Sequence, residues 1–147
     1  MERIRKAVPA DAGRIAEIFV TDYRVSFYPF FRNDAYYFAE LNVLDTAAEY
    51  AAGSEALAHS YVYDDGIVKG FIRFCGTEIE KLFVEPQFQC SGVGAALLSF
   101  AVSQGARELW VLEYNTRGIA FYERHGFSCT GERIVEDDWV PLLRMRR

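Results

Sequence analysis

The sequence predicts one mixed domain of the α/β or α+β class, spanning residues 1–147, in which helices pack against a sheet. Segments with helical periodicity alternate along the chain with segments of strand periodicity. The 147 residues are enough to form one hydrophobic core. Hydrophobic residues make up 51% of the chain and charged residues 25%, as in folded globular domains.

The order of the elements follows from apolar periodicity and from turn residues. Asp11 can cap the first helix, and Gly53 ends the second. Pro9 and Pro86 each end a strand, because proline has no N–H to donate. Residues 109–112 are apolar throughout, which suits a strand covered on both faces of a parallel sheet. We expect strands at 3–8, 57–63, 67–75, 78–84, 109–112, 127–131 and 139–145, and helices at 11–27, 34–53, 91–105 and 116–125.

Charge and composition exclude several classes of protein. The net charge is −5, so the phosphates of nucleic acids and anionic membranes are repelled on average. The N-terminal residues are charged without an apolar leader behind them, and the longest nearly apolar stretch, 92–102, is too short to span a bilayer. The three cysteines and two histidines fit no disulfide or metal-ligand pattern. We therefore expect a cytoplasmic protein that binds no metal, nucleic acid or membrane.

The first chemical signal is a glycine-containing loop at 89–94, between a predicted strand and a predicted helix. Gly92 and Gly94 lack a Cβ, so a ligand can approach their backbone closely. The first turn of the helix offers free N–H groups and a partial positive charge, and these suit a phosphate or pyrophosphate. The alternative interpretation is a plain helix start with Ser91 as its cap.

Two nucleotide-binding patterns match this loop less well. A P-loop needs a Lys-Ser or Lys-Thr pair after the glycines, and the sequence has none there. A dinucleotide-binding loop would use Glu113, about 20 residues further on. However, Leu97 stands where that pattern needs glycine or alanine, and the glycines come several residues too late after the strand.

A second motif lies at 115–127, where Asn115 precedes a helix that carries Phe121 and Tyr122. With both motifs in this order and separation, the sequence resembles the GNAT superfamily of acyl-CoA-dependent N-acyltransferases. The resemblance covers nearly the whole chain and is strongest from 78 to 127. The family loop, Gln/Arg-x-x-Gly-x-Gly/Ala, is matched by Gln89, Gly92 and Gly94.

The resemblance implies a mostly antiparallel sheet of six to seven strands, with a central parallel pair splayed apart and about four flanking helices. It implies acetyl-CoA as co-substrate, with its pyrophosphate on the amides of the loop and its pantetheine in the gap between the parallel strands. It also implies that a backbone N–H near Val84 polarises the acetyl carbonyl. Asn115 contacts the pantetheine arm, the alternative being a helix cap. The cofactor-binding residues so implied are Leu82, Phe83, Val84, Gln89, Cys90, Ser91, Gly92, Val93, Gly94, Asn115 and Tyr122.

Catalytic roles follow from the same resemblance. Tyr122 is the expected general acid, which donates a proton to the leaving thiolate; the alternative is a packed core aromatic. Glu78 and Glu80 alternate in phase with Leu82 and Val84, so we expect them to share the face turned to the active site or to lie at its rim. Either glutamate can take the proton of the amine, directly or through a water, and the alternative is a surface pair.

The sequence departs from the family pattern near the phosphates. Cys90 and Ser91 are small and uncharged where the family often has a basic residue or glycine, so phosphate binding must depend on the backbone and on arginines elsewhere. Arg117 and Arg124 are the candidates, and the alternative for each is a solvated charge on the helix. Gly118 stands where the family often has alanine, at a cost of about 1 kcal/mol in helix propensity.

The acyl acceptor is the part of the function that the sequence determines least. The aromatic block at 23–38 could line the acceptor side, belong to the core or form a homodimer contact. The acidic run 136–138 could attract a cationic amine or be a solvated turn. We expect an N-acetyltransferase acting on a small-molecule amine, ahead of a protein N-terminal or lysine acetyltransferase. The rival hypotheses are a non-catalytic acyl-CoA-binding module and a nucleotide-binding regulator.

Overall fold

A computed structural model describes residues 3–147 of the chain. Within this range seven strands form one sheet in the order β1-β2-β3-β4-β5-β7-β6, and every neighbouring pair is antiparallel except β4 with β5. The predicted class, mixed and mostly antiparallel with one central parallel pair, is therefore confirmed. The strands are β1 Ile4–Lys6, β2 Ser60–Asp64, β3 Val68–Cys75, β4 Glu78–Val84, β5 Glu108–Leu112, β6 Ser128–Glu136 and β7 Val140–Arg146.

Six α-helices occur between residues 3 and 147, against the four or so that we expected. The number is larger because α2 and α4 are single turns of four residues each. A π-helical turn at Tyr36–Glu40 and short 3-10 turns at Pro9–Asp11 and Pro86–Phe88 complete the helical content of this range. The α-helices are α1 Ala12–Ser26, α2 Tyr28–Phe31, α3 Val43–Glu49, α4 Glu55–Ala58, α5 Val93–Ser103 and α6 Thr116–Arg124.

The parallel strands β4 and β5 pair only at their beginnings. Glu78 is opposite Glu108 and Ile79 is opposite Leu109, and no pairing continues beyond them. The two strands therefore diverge towards their carboxyl ends and leave a gap in the middle of the sheet.

The backbone of β4 presents alternate residues to this gap. Glu85 donates its N–H to Lys69 O on the β3 side, at 2.9 Å. Since the backbone groups of alternate residues in an antiparallel strand face the same neighbour, Phe83 also faces β3, whereas Leu82 and Val84 face the gap.

The hydrophobic core has two parts, one on each face of the sheet. Phe71 packs with α1, and its neighbour Ile72 packs with α5, because successive side chains of a strand point to opposite faces. Helix α5 lies close to β3 at Gly70, where a Cβ would come within 2.9 Å of Phe83 O and 3.1 Å of the Val93 side chain. Glycine at position 70 thus lets the helix that follows the glycine loop rest directly on the sheet.

The structure corrects the expected boundaries in the first half of the chain. The helix predicted at 34–53 is broken, because Asn42 adopts an extended conformation and caps a new helix by accepting the N–H of Asp45 at 2.9 Å. Leu44, which lies within the predicted helix, is 83% exposed. The strand predicted at 57–63 begins only at Ser60, because Ser54 caps the single turn α4. In the range 3–147, no helix is both long and apolar enough to cross a membrane.

Candidate active site

Two cavities lie along the gap between β4 and β5 and meet where the strands diverge. The first, which we call the loop cavity, has a volume of about 420 Å³ and is lined by residues of the glycine loop and of α6. The second, the aromatic cavity, has a volume of about 490 Å³ and lies between α1, β4, β5 and the turn that joins β6 to β7. The residues that line both cavities are Phe27, Leu82, Phe83, Asn115 and Tyr122.

The glycine loop opens the loop cavity onto bare backbone amides. Helix α5 begins at Val93 with Gly92 as its N-cap residue, and Gly92 has a φ of 91° that favours glycine. The first bond within the helix runs from Ala96 N to Gly92 O at 3.0 Å, so the three preceding amides have no partner in the helix. A Cβ on Gly92 would have no atom within 4 Å, which leaves room for a ligand.

Ser91 does not cap this helix, so the cap assigned to it in the alternative interpretation is wrong. Its hydroxyl donates instead to Phe88 O. Cys90 has a φ of 63° and is exposed, and its Sγ accepts a hydrogen bond from Arg117 Nη2 at 2.9 Å. Arg117 and Arg124, the two candidate phosphate contacts, both line the loop cavity.

A buried carboxyl group supports the wall of the loop cavity. Gln89 donates its side-chain N–H groups to Val84 O at 3.1 Å and to Asp22 Oδ1 at 3.3 Å. Asp22 is only 2% exposed, and its Oδ2 has no hydrogen-bond partner among residues 3–147. Burial, with a smaller contribution from the charge of Glu85, raises the pKa of Asp22 to about 8. The wall therefore carries a largely neutral carboxylic acid near pH 7 instead of a negative charge.

Asn115 lies where the two cavities meet and also caps helix α6. Its Oδ1 accepts the N–H of Gly118 at 2.9 Å, which is the helix-cap role we considered. Within residues 3–147 its Nδ2 donates to no side chain or backbone group, so the same residue can cap the helix and still offer donors to a ligand.

Tyr122 lies at the same meeting point. Its ring packs against Phe121 and Phe127, with centroids 5.3 Å and 5.8 Å away. Burial raises the pKa of its phenol above the ordinary value, so the hydroxyl keeps its proton at neutral pH. In the described part of the chain no hydrogen bond engages this hydroxyl, which is therefore available as a donor.

The expected phase of Glu78 and Glu80 with Leu82 and Val84 is wrong. The β3–β4 register shifts between Arg73 and Phe74, which places an extra residue in β4. Because of this bulge, Ile79 and Leu82 pack on the same face of the sheet, with α5, although they are three residues apart.

Both glutamates nevertheless line the aromatic cavity, but their partners differ. Glu78 pairs with Arg144 Nη1 at 2.8 Å. Glu80 has only loose neighbours, Arg73 Nε at 3.8 Å and His59 Nδ1 at 4.0 Å. Glu80 is thus the carboxylate that is freer to accept a proton.

The aromatic block at 23–38 serves more than one purpose. Tyr23, Phe27, Tyr36 and Tyr37 line the aromatic cavity, whereas Phe30 and Phe38 are each 55% exposed. Burial raises the pKa of Tyr36 to about 12.

The acidic run predicted at 136–138 contributes Glu136 and Asp137 to the lining of the aromatic cavity.

Sequence reasoning missed several residues of this cavity. Arg73 and Lys81 lie opposite each other on β3 and β4, and Trp110 and Trp139 come from β5 and the β6–β7 turn. Lys81 carried a readable signal, because this lysine directly precedes the apolar run 82–84 in a strand that is central to the sheet. Arg73 gave no comparable signal.

The structure can also be compared with what a dinucleotide site and a metal site would need. Glu113, the residue that a dinucleotide site would use, is paired with Arg133 at 2.9 Å, and this pairing lowers its pKa. Among residues 3–147 there is no cluster of three or more His, Cys, Asp or Glu side chains that could hold a metal ion.

The fold and the site together indicate the class of protein: the parallel strands β4 and β5 diverge next to a glycine loop with free backbone amides. The sequence profile described as "Acetyltransferase (GNAT) domain" matches residues 56–129. The chain therefore belongs to the GNAT acetyltransferase family.

Individual relatives agree with this assignment. The chain is similar to the peptidyl-lysine N-acetyltransferase YjaB of Escherichia coli, with 37% identity over 80 residues. That alignment covers 52% of this chain and 54% of YjaB, so the chain matches about half the length of this curated relative.

Solved structures show the same fold. The solution structure of apo YjaB from Escherichia coli has a TM-score of 0.78 at 24% identity, covering 97% of this chain and 95% of that one. The structure of yncA from Salmonella typhimurium with its cofactor acetyl-CoA has a TM-score of 0.69 at 22% identity, covering 98% and 91% of the two chains.

Proposed function

We propose that this chain is one acetyltransferase domain that transfers an acetyl group from acetyl-CoA to a primary amine of a small molecule, by direct attack while both substrates are bound. The observation that carries this proposal is the meeting of the two cavities at Leu82, Asn115 and Tyr122. A thioester brought in through the loop cavity and an amine brought in through the aromatic cavity would meet at these residues.

The loop cavity suits coenzyme A in three respects. Bare amides at the start of α5 can hold a diphosphate, as helix N-termini do for anions. The gap-facing backbone of Leu82 and Val84 can pair with the amides of pantetheine. Arg117 and Arg124 add positive charge at the outer end. We propose the whole set of expected cofactor contacts on these grounds, with Ser91 contributing through its backbone alone.

Polarisation of the acetyl carbonyl is better assigned to Leu82 than to the neighbourhood of Val84. Both N–H groups face the gap, but Leu82 lines both cavities while Val84 lines only the loop cavity. A donor placed where negative charge develops on the carbonyl oxygen stabilises the transition state. Acetyl-CoA supplies the thioester for this step.

Proton transfers complete the proposed mechanism. Glu80 takes the proton that the amine must lose, directly or through a water, because it is the less firmly paired of the two glutamates. Tyr122 donates its proton to the departing sulfur, for which its high pKa keeps it protonated beforehand. Glu78 remains a candidate base, but its pairing with Arg144 opposes that role.

A second candidate function, acetylation of peptidyl lysine, is favoured by the name of the relative YjaB. A small-molecule acceptor is favoured by the residues that line the aromatic cavity from several sides, from α1 and the π-helical turn to the β6–β7 turn. The exposed rings of Phe30 and Phe38 fit a homodimer contact, which stays a prediction.

The test is a screen of primary amines with acetyl-CoA, in which release of the CoA thiol is measured beside calorimetric binding of acetyl-CoA. The panel includes small amines and lysine-containing peptides of matched concentration. Turnover with small amines is the expected result. Turnover with peptides alone would favour the lysine-directed function, and binding of acetyl-CoA without any turnover would favour a non-catalytic binding module. Binding of NAD or ATP without competition from CoA would favour the nucleotide-binding regulator.

A further inference from the structure

The floor of the aromatic cavity holds two cationic side chains opposite each other. Arg73 of β3 and Lys81 of β4 are partners in the antiparallel register, and both line the cavity. Like charges directly opposite in a sheet repel each other. This pair therefore opposes folding unless an anion lies between or beside the two groups.

The protein supplies Lys81 with no such anion. Its Nζ donates to Tyr23 Oη at 2.8 Å and lies 5.3 Å and 5.4 Å from the ring centroids of Phe19 and Tyr23. Among residues 3–147, no carboxylate oxygen lies within 4.0 Å of this ammonium group. Burial, followed by the charge of Arg73, lowers the pKa of Lys81, and the more distant carboxylates of Glu136, Glu49 and Glu80 offset this only in part.

Arg73 is only partly neutralised. Its Nη1 donates to Tyr50 Oη at 2.9 Å, and its Nε lies 3.8 Å from Glu80 Oε1, too far for a hydrogen bond. Arg73 thus has one loosely placed carboxylate, which belongs to the residue we propose as the base, and Lys81 has none within 4.0 Å. Buried charges in proteins are normally paired, so the floor has an unfilled place for an anion.

We propose that the acyl acceptor carries a carboxylate close to its amine, as a free amino acid does, and that Lys81 and Arg73 bind this carboxylate. The inference rests on the proposed function and names the class of its acceptor. Lys81 immediately precedes Leu82, whose N–H faces the meeting point of the cavities, so a carboxylate on the floor lies near the reacting centre. An acceptor with its amine and its carboxylate on neighbouring atoms fits this separation.

Matched acceptors test the proposal. Leucine, methionine and phenylalanine are compared with their carboxamides and with their decarboxylated amines, using release of the CoA thiol to obtain kcat/KM. The same measurements are made on Lys81→Met, which removes the charge and keeps an unbranched side chain of similar length beside the rings of Phe19 and Tyr23. Lys6→Met on the outer strand β1 is the control, because Lys6 also lies over a tyrosine ring and donates a hydrogen bond.

We expect the wild-type protein and Lys6→Met to prefer an amino acid over its carboxamide by about 10- to 100-fold, the effect of one charge-assisted hydrogen bond. In Lys81→Met the ratio of the kcat/KM values for acid and carboxamide should fall to near unity. Equal activity on acids and carboxamides in the wild type, or an unchanged preference in Lys81→Met, would overturn the proposal.

Binding of the N-acetyl amino acids separates this inference from the proposed function. These compounds are titrated calorimetrically into the protein with CoA bound, so no turnover is needed. Binding by the wild type that is lost in Lys81→Met supports the carboxylate site even where no amine is acetylated. No binding, or binding that Lys81→Met retains, contradicts the site even where amines are acetylated.

Discussion

Gly118 and Asn115 determine each other's position. The Gly118 N–H donates to Asn115 Oδ1 at 2.9 Å, and a Cβ at residue 118 would lie 2.8 Å from Asn115 Cγ. The glycine that departs from the family pattern is therefore needed for the asparagine side chain to keep its place between the two cavities. The cost in helix propensity is offset by a correctly placed donor.

Gly118→Ala is expected to weaken acetyl-CoA binding by about 3- to 10-fold, although alanine is the better helix former by about 1 kcal/mol. The reason is that the new methyl group displaces the Asn115 side chain. Calorimetric titration measures the affinity. Gly13→Ala in α1, where a Cβ has no atom within 4 Å, should leave binding unchanged. Unaltered affinity in Gly118→Ala would show that Asn115 does not contact the cofactor.

Tyr122→Phe should lower the rate of the chemical step by about 10²- to 10⁴-fold, the usual contribution of a positioned acid. Acetyl-CoA affinity should change little, because the ring and its contacts with Phe121 and Phe127 remain. Single-turnover kinetics beside calorimetry measure the two quantities. Tyr114→Phe, on an exposed ring, is the control. An unchanged single-turnover rate would remove Tyr122 from the mechanism.

Asp22→Asn should change how stability depends on pH. The pKa of Asp22 is about 8 in the folded protein and about 3.9 in an unfolded chain. Between these values the folded protein holds a proton that the unfolded chain releases, so the free energy of unfolding falls as pH rises from about 4 to about 8. The asparagine side chain does not titrate, so this fall in the free energy of unfolding is absent from the variant. Its Tm should match that of the wild type near pH 4 and exceed it by at least about 2–4 °C at pH 8.

Asp65→Asn provides the contrast for this measurement. Hydrogen bonding to Lys69 lowers the pKa of Asp65, so its contribution is present at neutral pH and is lost in acid. This variant should therefore be less stable than the wild type at pH 7 and equal to it in acid. A Tm difference for Asp22→Asn that stayed constant from pH 4 to pH 8 would contradict the raised pKa.

Gly92→Val should abolish detectable acetyl-CoA binding in a protein that still folds. The side chain would stand in the open space over the free amides of α5, and the positive φ of 91° adds about 1–3 kcal/mol of strain. Gly53→Val is a matched control, because Gly53 has a φ of 82° and equally open surroundings but does not line the loop cavity. Comparable Tm values with loss of binding only in Gly92→Val are expected. Retained affinity would mean that the loop is not the phosphate site.

Strand β4 shows how far the sequence alone could go. Its bounds, Glu78–Val84, are predictable because Pro86 stops the ladder and a turn precedes it. The bulge in this strand is not predictable, because no residue type marks it in the sequence. The expected alternation of Glu78 and Glu80 with Leu82 and Val84 is wrong for this reason. The glycine loop and the Asn115 motif were readable, since both depend on local backbone chemistry.

The parts that sequence could not supply depend on contacts between distant segments. The pairing of Arg73 with Lys81 requires the β3–β4 register, and the burial of Asp22 requires α1 to lie against Gln89. Asn42 is one of the residues preferred at helix N-caps, so the sequence did carry a local signal for the break. The apolar periodicity on both sides of Asn42 outweighed that signal.

The gap between β4 and β5 has a consequence for how the free protein behaves. Leu82 and Val84 turn their N–H groups towards an edge inside the sheet instead of a neighbouring strand, so the ladder of hydrogen bonds is incomplete at the centre of the sheet. A bound ligand with amides at strand spacing would act there as a missing strand. Hydrogen bonds to the bound ligand would then help to hold the two halves of the sheet together. Slower deuterium exchange at the amides of Leu82 and Val84 would report this binding.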